Sequence, residues 1–132
     1  MIPLRIGPYY VIEELHQQPH ARLFLAADTQ QGRELVIKLL NPAEFADPTI
    51  RARFKLEAQL LASLGSPAIL ACEDFGEQDG LLYIATRRMP GGSLAESLQF
   101  GGLPLQETAR ILQHLAPALD AAHSLGILHG DI

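Results

Sequence analysis

Pro90-Gly91-Gly92 divides the sequence into two stretches with different hydrophobic periods, and that change constrains the fold more than any other feature. Before it, short apolar runs bounded by turn residues surround one helical pattern; after it, the pattern is helical throughout. Tyr10–Leu15 reads as a first strand. Arg22–Asp28 and Arg33–Leu40 flank Thr29-Gln30-Gln31-Gly32, a short glycine-containing turn between apolar runs, which is a hairpin signal. Asp47 is a good N-cap and Pro48 suits the first helical position. The helix they open is expected to reach about Leu64, with Ile50, Phe54, Glu57, Leu61 and Leu64 at helical spacing and Glu57 on the inward face. Gly65-Ser66-Pro67 stops it. Two further strands are expected near 69–75 and 81–86, joined by Gly76-Glu77-Gln78-Asp79-Gly80. Past Pro90-Gly91-Gly92, Ser93 caps a short helix to about Gln99, and a longer helix runs from about Leu105 to Leu125 with Leu112, Leu115, Leu119 and Ala122 on one face. Gly126 ends it. Pro117 removes a hydrogen bond to residue 113, which predicts a kink or local break. The fold class is α+β: a five-stranded antiparallel sheet with one helix, then two helices.

Hydrophobic residues make up 48% of the 132-residue chain, enough for a packed core of one ordinary domain. Trp is absent and aromatics are 6%, so that core is expected to be mainly Leu, Ile, Val and Ala. The net charge is −5 and Lys and Arg do not cluster, which argues against nucleic-acid binding. The single Cys72 excludes an internal disulfide, fits a reducing cytosol and reads as a small buried thiol; a cytoplasmic location is expected. The first ten residues contain no apolar run of signal-peptide length, and no stretch reaches the ~18 apolar residues of a membrane span. His16 and His20 are four residues apart but are read as loop residues and not as one helix face, and His114 and His123 are too far apart along their helix to pair, so no zinc site is expected. Asp74 and Asp120 read as solvated or capping carboxylates.

Three short strings can carry chemistry. Lys38 ends the apolar run Val36-Ile37-Lys38, and the inward-facing Glu57 follows on the next helix. A buried ammonium needs a partner, which such a carboxylate supplies; a plain structural ion pair is the simplest reading. Pro90-Gly91-Gly92-Ser93-Leu94 is by itself a turn. His129-Gly130-Asp131 is by itself a surface loop, here placed after a long amphipathic helix. Taken in order and at these separations, the three strings resemble the first half of a eukaryotic-type serine/threonine protein kinase domain of the bacterial-like kind, from about Tyr9 to Ile132.

The resemblance implies a kinase N-lobe over residues 1–86, a hinge at 87–92 and a partial C-lobe at 93–132. It gives Lys38 the task of binding the α- and β-phosphates of ATP, oriented by Glu57. Leu15, Leu23 and Val36 would cover the adenine, Thr86 would guard the back pocket, the Arg87 carbonyl and Met89 amide would bond the adenine edge, and Ser93 would lie near the ribose. Asp131 would accept the proton of the substrate hydroxyl, with His129 a packing residue. The cofactor implied is ATP, with Mg2+ expected only for the complete domain; the partner is a protein substrate or a protein partner. Three departures stand out. The phosphate-covering segment His16-Gln17-Gln18-Pro19-His20-Ala21 has no glycine, and Pro19 has no N–H donor, so weak nucleotide binding is expected. Gly130 stands where many kinases have Arg, so control through a phosphorylated activation loop is not expected. The chain stops before the family's metal-holding Asn and Asp-Phe-Gly, so this stretch alone is expected to hold no metal and to be inactive, with part of the long helix's apolar face bare. A pseudokinase, acting as a binding or scaffolding module, is the alternative.

Overall fold

The computed structural model describes residues 2–127, in two compact units. The first combines residues 2–63 with Leu70–Arg88, and the second combines Leu64–Ile69 with residues 89–127.

The first unit holds a sheet of six antiparallel strands among the described residues: β1 (Arg5–Ile6), β2 (Tyr9–Gln17), β3 (Ala21–Asp28), β4 (Arg33–Leu40), β5 (Cys72–Gln78) and β6 (Leu81–Arg87), in the order β1-β2-β3-β4-β6-β5. The strand beyond the expected five is β1, whose two residues are too few to show a period. Strand β5 begins later than expected and extends through Gln78, which pairs with Leu81. The connection is therefore Asp79-Gly80 alone, with φ of 52° and 81°. Positive φ at both central residues is the turn geometry that matches strand twist, and Asp-Gly is a preferred pair for it.

Alternation along the strands separates two faces. One buries Ile6, Tyr9, Phe24, Ala26, Leu35, Ile37, Leu39, Tyr83 and Ala85. The sheet curls around this cluster. β2 and β5 are four strand spacings apart in the sheet, roughly 19 Å if it were flat. Yet Tyr9 Oη donates to Asp74 Oδ2 over 2.7 Å, Gln78 Nε2 donates to the Arg5 carbonyl over 3.0 Å, and the Gly7 N–H donates to Gln78 Oε1. Only a sheet rolled towards a barrel brings those edges together. Asp74, read from sequence as solvated or capping, is thus a closure residue. Burial, and then the Asp74 carboxylate, push the Tyr9 phenol well above its ordinary value. The core is also more aromatic than composition suggests: Tyr9 and Tyr83 meet edge to face at 6.4 Å and 86°.

On the opposite face α2 (Pro48–Ser63) packs Phe54 and Ala58 against Leu40, Leu82 and Ile84, with Ile50 and Cys72 at the margin. Asp47 Oδ1 accepts from the N–H groups of Thr49 (2.8 Å) and Ile50 (3.4 Å), which is the cap expected there. A single helical turn, α1 (Pro42–Phe45), precedes it.

The second unit contains α3 (Leu94–Leu98) and α4 (Leu105–Ser124). Ser93 and Glu96 cap α3 reciprocally: the Glu96 N–H donates to Ser93 Oγ (3.2 Å) and the Ser93 N–H to Glu96 Oε2 (3.4 Å). Helix α4 continues through Pro117, so the break expected there is not found. Its buried residues are Ala118 and Ala122, with Ile111, Leu115 and Leu119 partly buried. Leu112, placed on that stripe from sequence, is 58% exposed. Phe100, Leu105 and Leu125 are more exposed still, so this unit does carry bare apolar surface. No helix among the described residues is long and apolar enough to cross a membrane.

Candidate functional site

Strand register defines the site. His16 pairs with Leu23, Leu23 with Lys38 and Lys38 with Ile84; one row along, Glu13 pairs with Leu25, Leu25 with Val36 and Val36 with Thr86. Directly opposed residues share a face, so both rows lie on the face away from the barrel core. Leu15 is the extra residue of a bulge between Glu14 and His16, and it sets the phase that turns His16 outward. Helix α2 covers one end of this face. Leu23, Val36 and Thr86 stay partly covered and Leu15 is 47% exposed, which leaves an apolar plate beside Lys38.

Lys38 Nζ donates to both Glu57 carboxylate oxygens, at 3.1 and 3.2 Å, and lies 5.8 Å from the centre of the Phe54 ring. The side chains are 28% and 42% exposed. Lys38 is thus not the buried ammonium expected from the sequence: the pair is partly in solvent, and such pairs contribute about 0–1 kcal/mol to stability. What it fixes is the direction of Lys38.

Leu15, Leu23, Val36, Lys38, Glu57 and Thr86 thus come together in the first unit. Thr86 Oγ1 approaches the Val36 carbonyl at 3.5 Å. Arg87 opposes Leu35 and so falls on the other face by register. Arg88 pairs its guanidinium with Glu34 and donates its N–H to the Glu34 carbonyl at 3.4 Å, tying the end of β6 to β4. Met89, 56% exposed, and Ser93, engaged as the cap of α3, belong to the second unit. Asp131, with His129 and Gly130, lies outside the described residues. Among the described residues no group of three or more His, Cys, Asp and Glu side chains is placed to hold a metal ion.

The β2–β3 tip is a tight hairpin. The Gln18 N–H donates to the Ala21 carbonyl (2.8 Å). Asn41, one residue past β4, donates its N–H to the His20 carbonyl (2.9 Å) and its carboxamide to the Pro19 carbonyl (3.3 Å). Behind the tip, Arg22 donates to both Glu14 oxygens, at 3.1 and 2.5 Å, and holds the Glu14 carboxyl down to about 2. Sequence reasoning missed Asn41 and the Glu14–Arg22 pair; neither sits in a spacing that marks it.

A protein kinase domain family model matches residues 11–132. The serine/threonine-protein kinase PknD of Mycobacterium tuberculosis (strain H37Rv) is 33% identical over 129 residues, which cover 97% of this chain and 19% of that protein. PknH of Mycobacterium bovis is 34% identical over 128 residues, covering 96% of this chain and 21% of PknH. A crystal structure of the Mycobacterium tuberculosis PknI kinase domain matches with a TM-score of 0.78 at 33% identity, over 97% of this chain and 54% of that one. A second PknI kinase domain structure matches with a TM-score of 0.81 at 31% identity, over 100% of this chain and 55% of that one. The chain therefore spans about a fifth of these curated relatives and about half of the solved kinase domains. Its curled sheet with one packed helix is the small lobe of that fold, and the chain belongs to the serine/threonine protein kinase family.

Proposed function

We propose that the outer sheet face binds ATP, and that the kinase domain to which this chain contributes transfers the γ-phosphoryl group to protein Ser or Thr hydroxyls. The observation that carries this reading is the bidentate contact of Lys38 with Glu57 beside an apolar plate. Lys38, directed by Glu57, neutralises the α- and β-phosphates, while Leu15, Leu23 and Val36 cover the adenine and Thr86 closes its inner end. ATP, when bound, supplies the transferable group. The Arg87 carbonyl, the Met89 amide and Ser93 take their adenine and ribose roles from the family resemblance, as Asp131 takes that of the base. Mg2+ belongs to the complete domain. A cytoplasmic location, where Cys72 stays reduced, goes with this reading.

Calorimetry of the chain with ATP tests it. Saturable binding that Lys38→Met weakens at least tenfold is expected; no saturation at millimolar ATP, or unchanged affinity in the variant, would overturn it.

The hairpin tip favours a second reading, a pseudokinase that scaffolds a protein partner. Its Gln18 N–H is already bonded to Ala21, and Pro19 offers no donor, so the tip is a poor cradle for phosphate. Full-length protein that binds ATP but transfers no phosphate to a generic protein substrate would select this reading.

A further inference from the structure

We propose that His16 is a phosphate-binding residue of this site, a side-chain donor standing in for the backbone donors that the β2–β3 tip withholds. The inference rests on the ATP reading above and names which group on the face meets the phosphates together with Lys38.

Backbone N–H groups of a hairpin tip can cradle phosphate only where they are free and closely approachable. Here the Gln18 N–H is bonded to the Ala21 carbonyl, Pro19 has none, and Asn41 holds the carbonyls of Pro19 and His20. The tip is thus stitched to the end of β4, the strand that carries Lys38. With the Gln18 and Pro19 positions offering no donor, side chains are left to meet much of the phosphate charge on this face.

Register places His16 for that task. It opposes Leu23, which opposes Lys38, so the three lie in one row across β2, β3 and β4. Two strand spacings, about 10 Å, separate the His16 and Lys38 backbones, and both side chains rise from the same face. A phosphate group fits between an ammonium and an imidazole at that separation. The charged residues around His16 fit the same assignment. Glu13 lies one row along, on the adenine side opposite Leu25, and Glu57 on α2 is engaged by Lys38. Glu14 pairs with Phe24, hence on the other face, and is held by Arg22. His16 itself is exposed, so its replacement removes a contact without opening the core.

The test compares ATP with adenosine, which has the same base and sugar and no phosphate. Binding of each to the whole chain is measured for the wild type, His16→Ala and His16→Lys. A hydrogen bond to a charged partner predicts about a tenfold loss of ATP affinity in His16→Ala, with adenosine affinity unchanged within about twofold. His16→Lys is expected to restore or exceed wild-type ATP affinity, again without effect on adenosine. Equal losses for ATP and adenosine, or no loss for either, overturn the role of His16 and leave the ATP reading standing. Failure of the wild type to bind either ligand overturns both, and so separates the two failures.

Discussion

Gly76→Ala tests whether the sheet is closed as described. A Cβ built on Gly76 would stand 2.5 Å from Tyr83 Oη, 2.6 Å from Cζ and 2.8 Å from Cε1, where ordinary contact begins at 3.4 Å. The Gly76 φ is not positive, so the effect is a clash and not backbone strain. The ring would have to retreat by about 0.8 Å, the shortfall at Cζ. It has nowhere to go: it is 5% exposed, it packs edge to face on Tyr9, and it already lies against Gly7, where a Cβ would meet Oη at 2.3 Å. Overpacking of this kind costs about 1–3 kcal/mol. Urea unfolding followed by near-ultraviolet circular dichroism reads it directly, because all three tyrosines (Tyr9, Tyr10 and Tyr83) are in the sheet. Tyr83→Phe removes only the oxygen and leaves the clash with ring carbons, so Gly76→Ala should remain costly in that background. Tyr83→Leu removes the ring, and there Gly76→Ala should cost under about 0.5 kcal/mol, a coupling that a double-mutant cycle isolates. A Gly76→Ala protein as stable as the wild type, or one equally destabilised with and without the Tyr83 ring, would refute the closure argument.

Glu57→Ala should lower stability by less than about 1 kcal/mol, since the pair is half exposed, while weakening ATP binding several-fold by releasing Lys38; denaturation and calorimetry on one sample check both, and a large stability loss with unchanged affinity would make the pair purely structural. Alkaline stability follows from Tyr9, whose phenol is raised by burial and by Asp74 above its unfolded value of 10.0. That contribution is fully present below pH 10 and is lost as pH rises beyond it, because the unfolded chain then releases the proton first. The unfolding midpoint should therefore hold up to about pH 10 and fall progressively above it, and Tyr9→Phe should flatten the fall without abolishing it, since burial also raises Tyr83.

Much of this was legible from the chain because its signals were local. Asp47-Pro48 marked the helix start, Val36-Ile37-Lys38 ended an apolar run, and the phase of Ile50, Phe54 and Glu57 turned a carboxylate towards that lysine. What stayed illegible depended on distant partners. Tyr9 and Asp74 are 65 residues apart, and nothing near Asp74 announces a phenol. Gly76-Glu77-Gln78 looks like a turn because it is polar and contains glycine; in the fold it is strand, and Gly76 is there to admit the Tyr83 ring. On α4 the expected stripe of Leu112, Leu115, Leu119 and Ala122 holds at Ala122, which is buried together with Ala118, a residue too small to stand out in the sequence, whereas Leu112 is exposed. Asn41 acts through the tip of another hairpin, which no spacing along its own strand records.

The barrel core and the site are bound together through register. In β4, Leu35, Ile37 and Leu39 enter the core while Val36 and Lys38 face outward. A slip of one residue against β3 would exchange the two sets. Lys38 would then enter a cluster containing Phe24, Tyr9 and Tyr83, away from Glu57, and an unpaired ammonium there costs several kcal/mol. Ile37 would at the same time be exposed, losing most of the ~1.5–3 kcal/mol gained by burying such a side chain. The closure bonds of Tyr9 and Gln78 resist the same slip at the sheet edges, and Asn41 resists it at the tip. Packing on the inner face therefore selects which residues appear on the outer one. The geometry proposed to meet phosphate is held by apolar contacts that never touch it, so a substitution inside the barrel should change ATP affinity only in proportion to the fraction of sheet it unfolds.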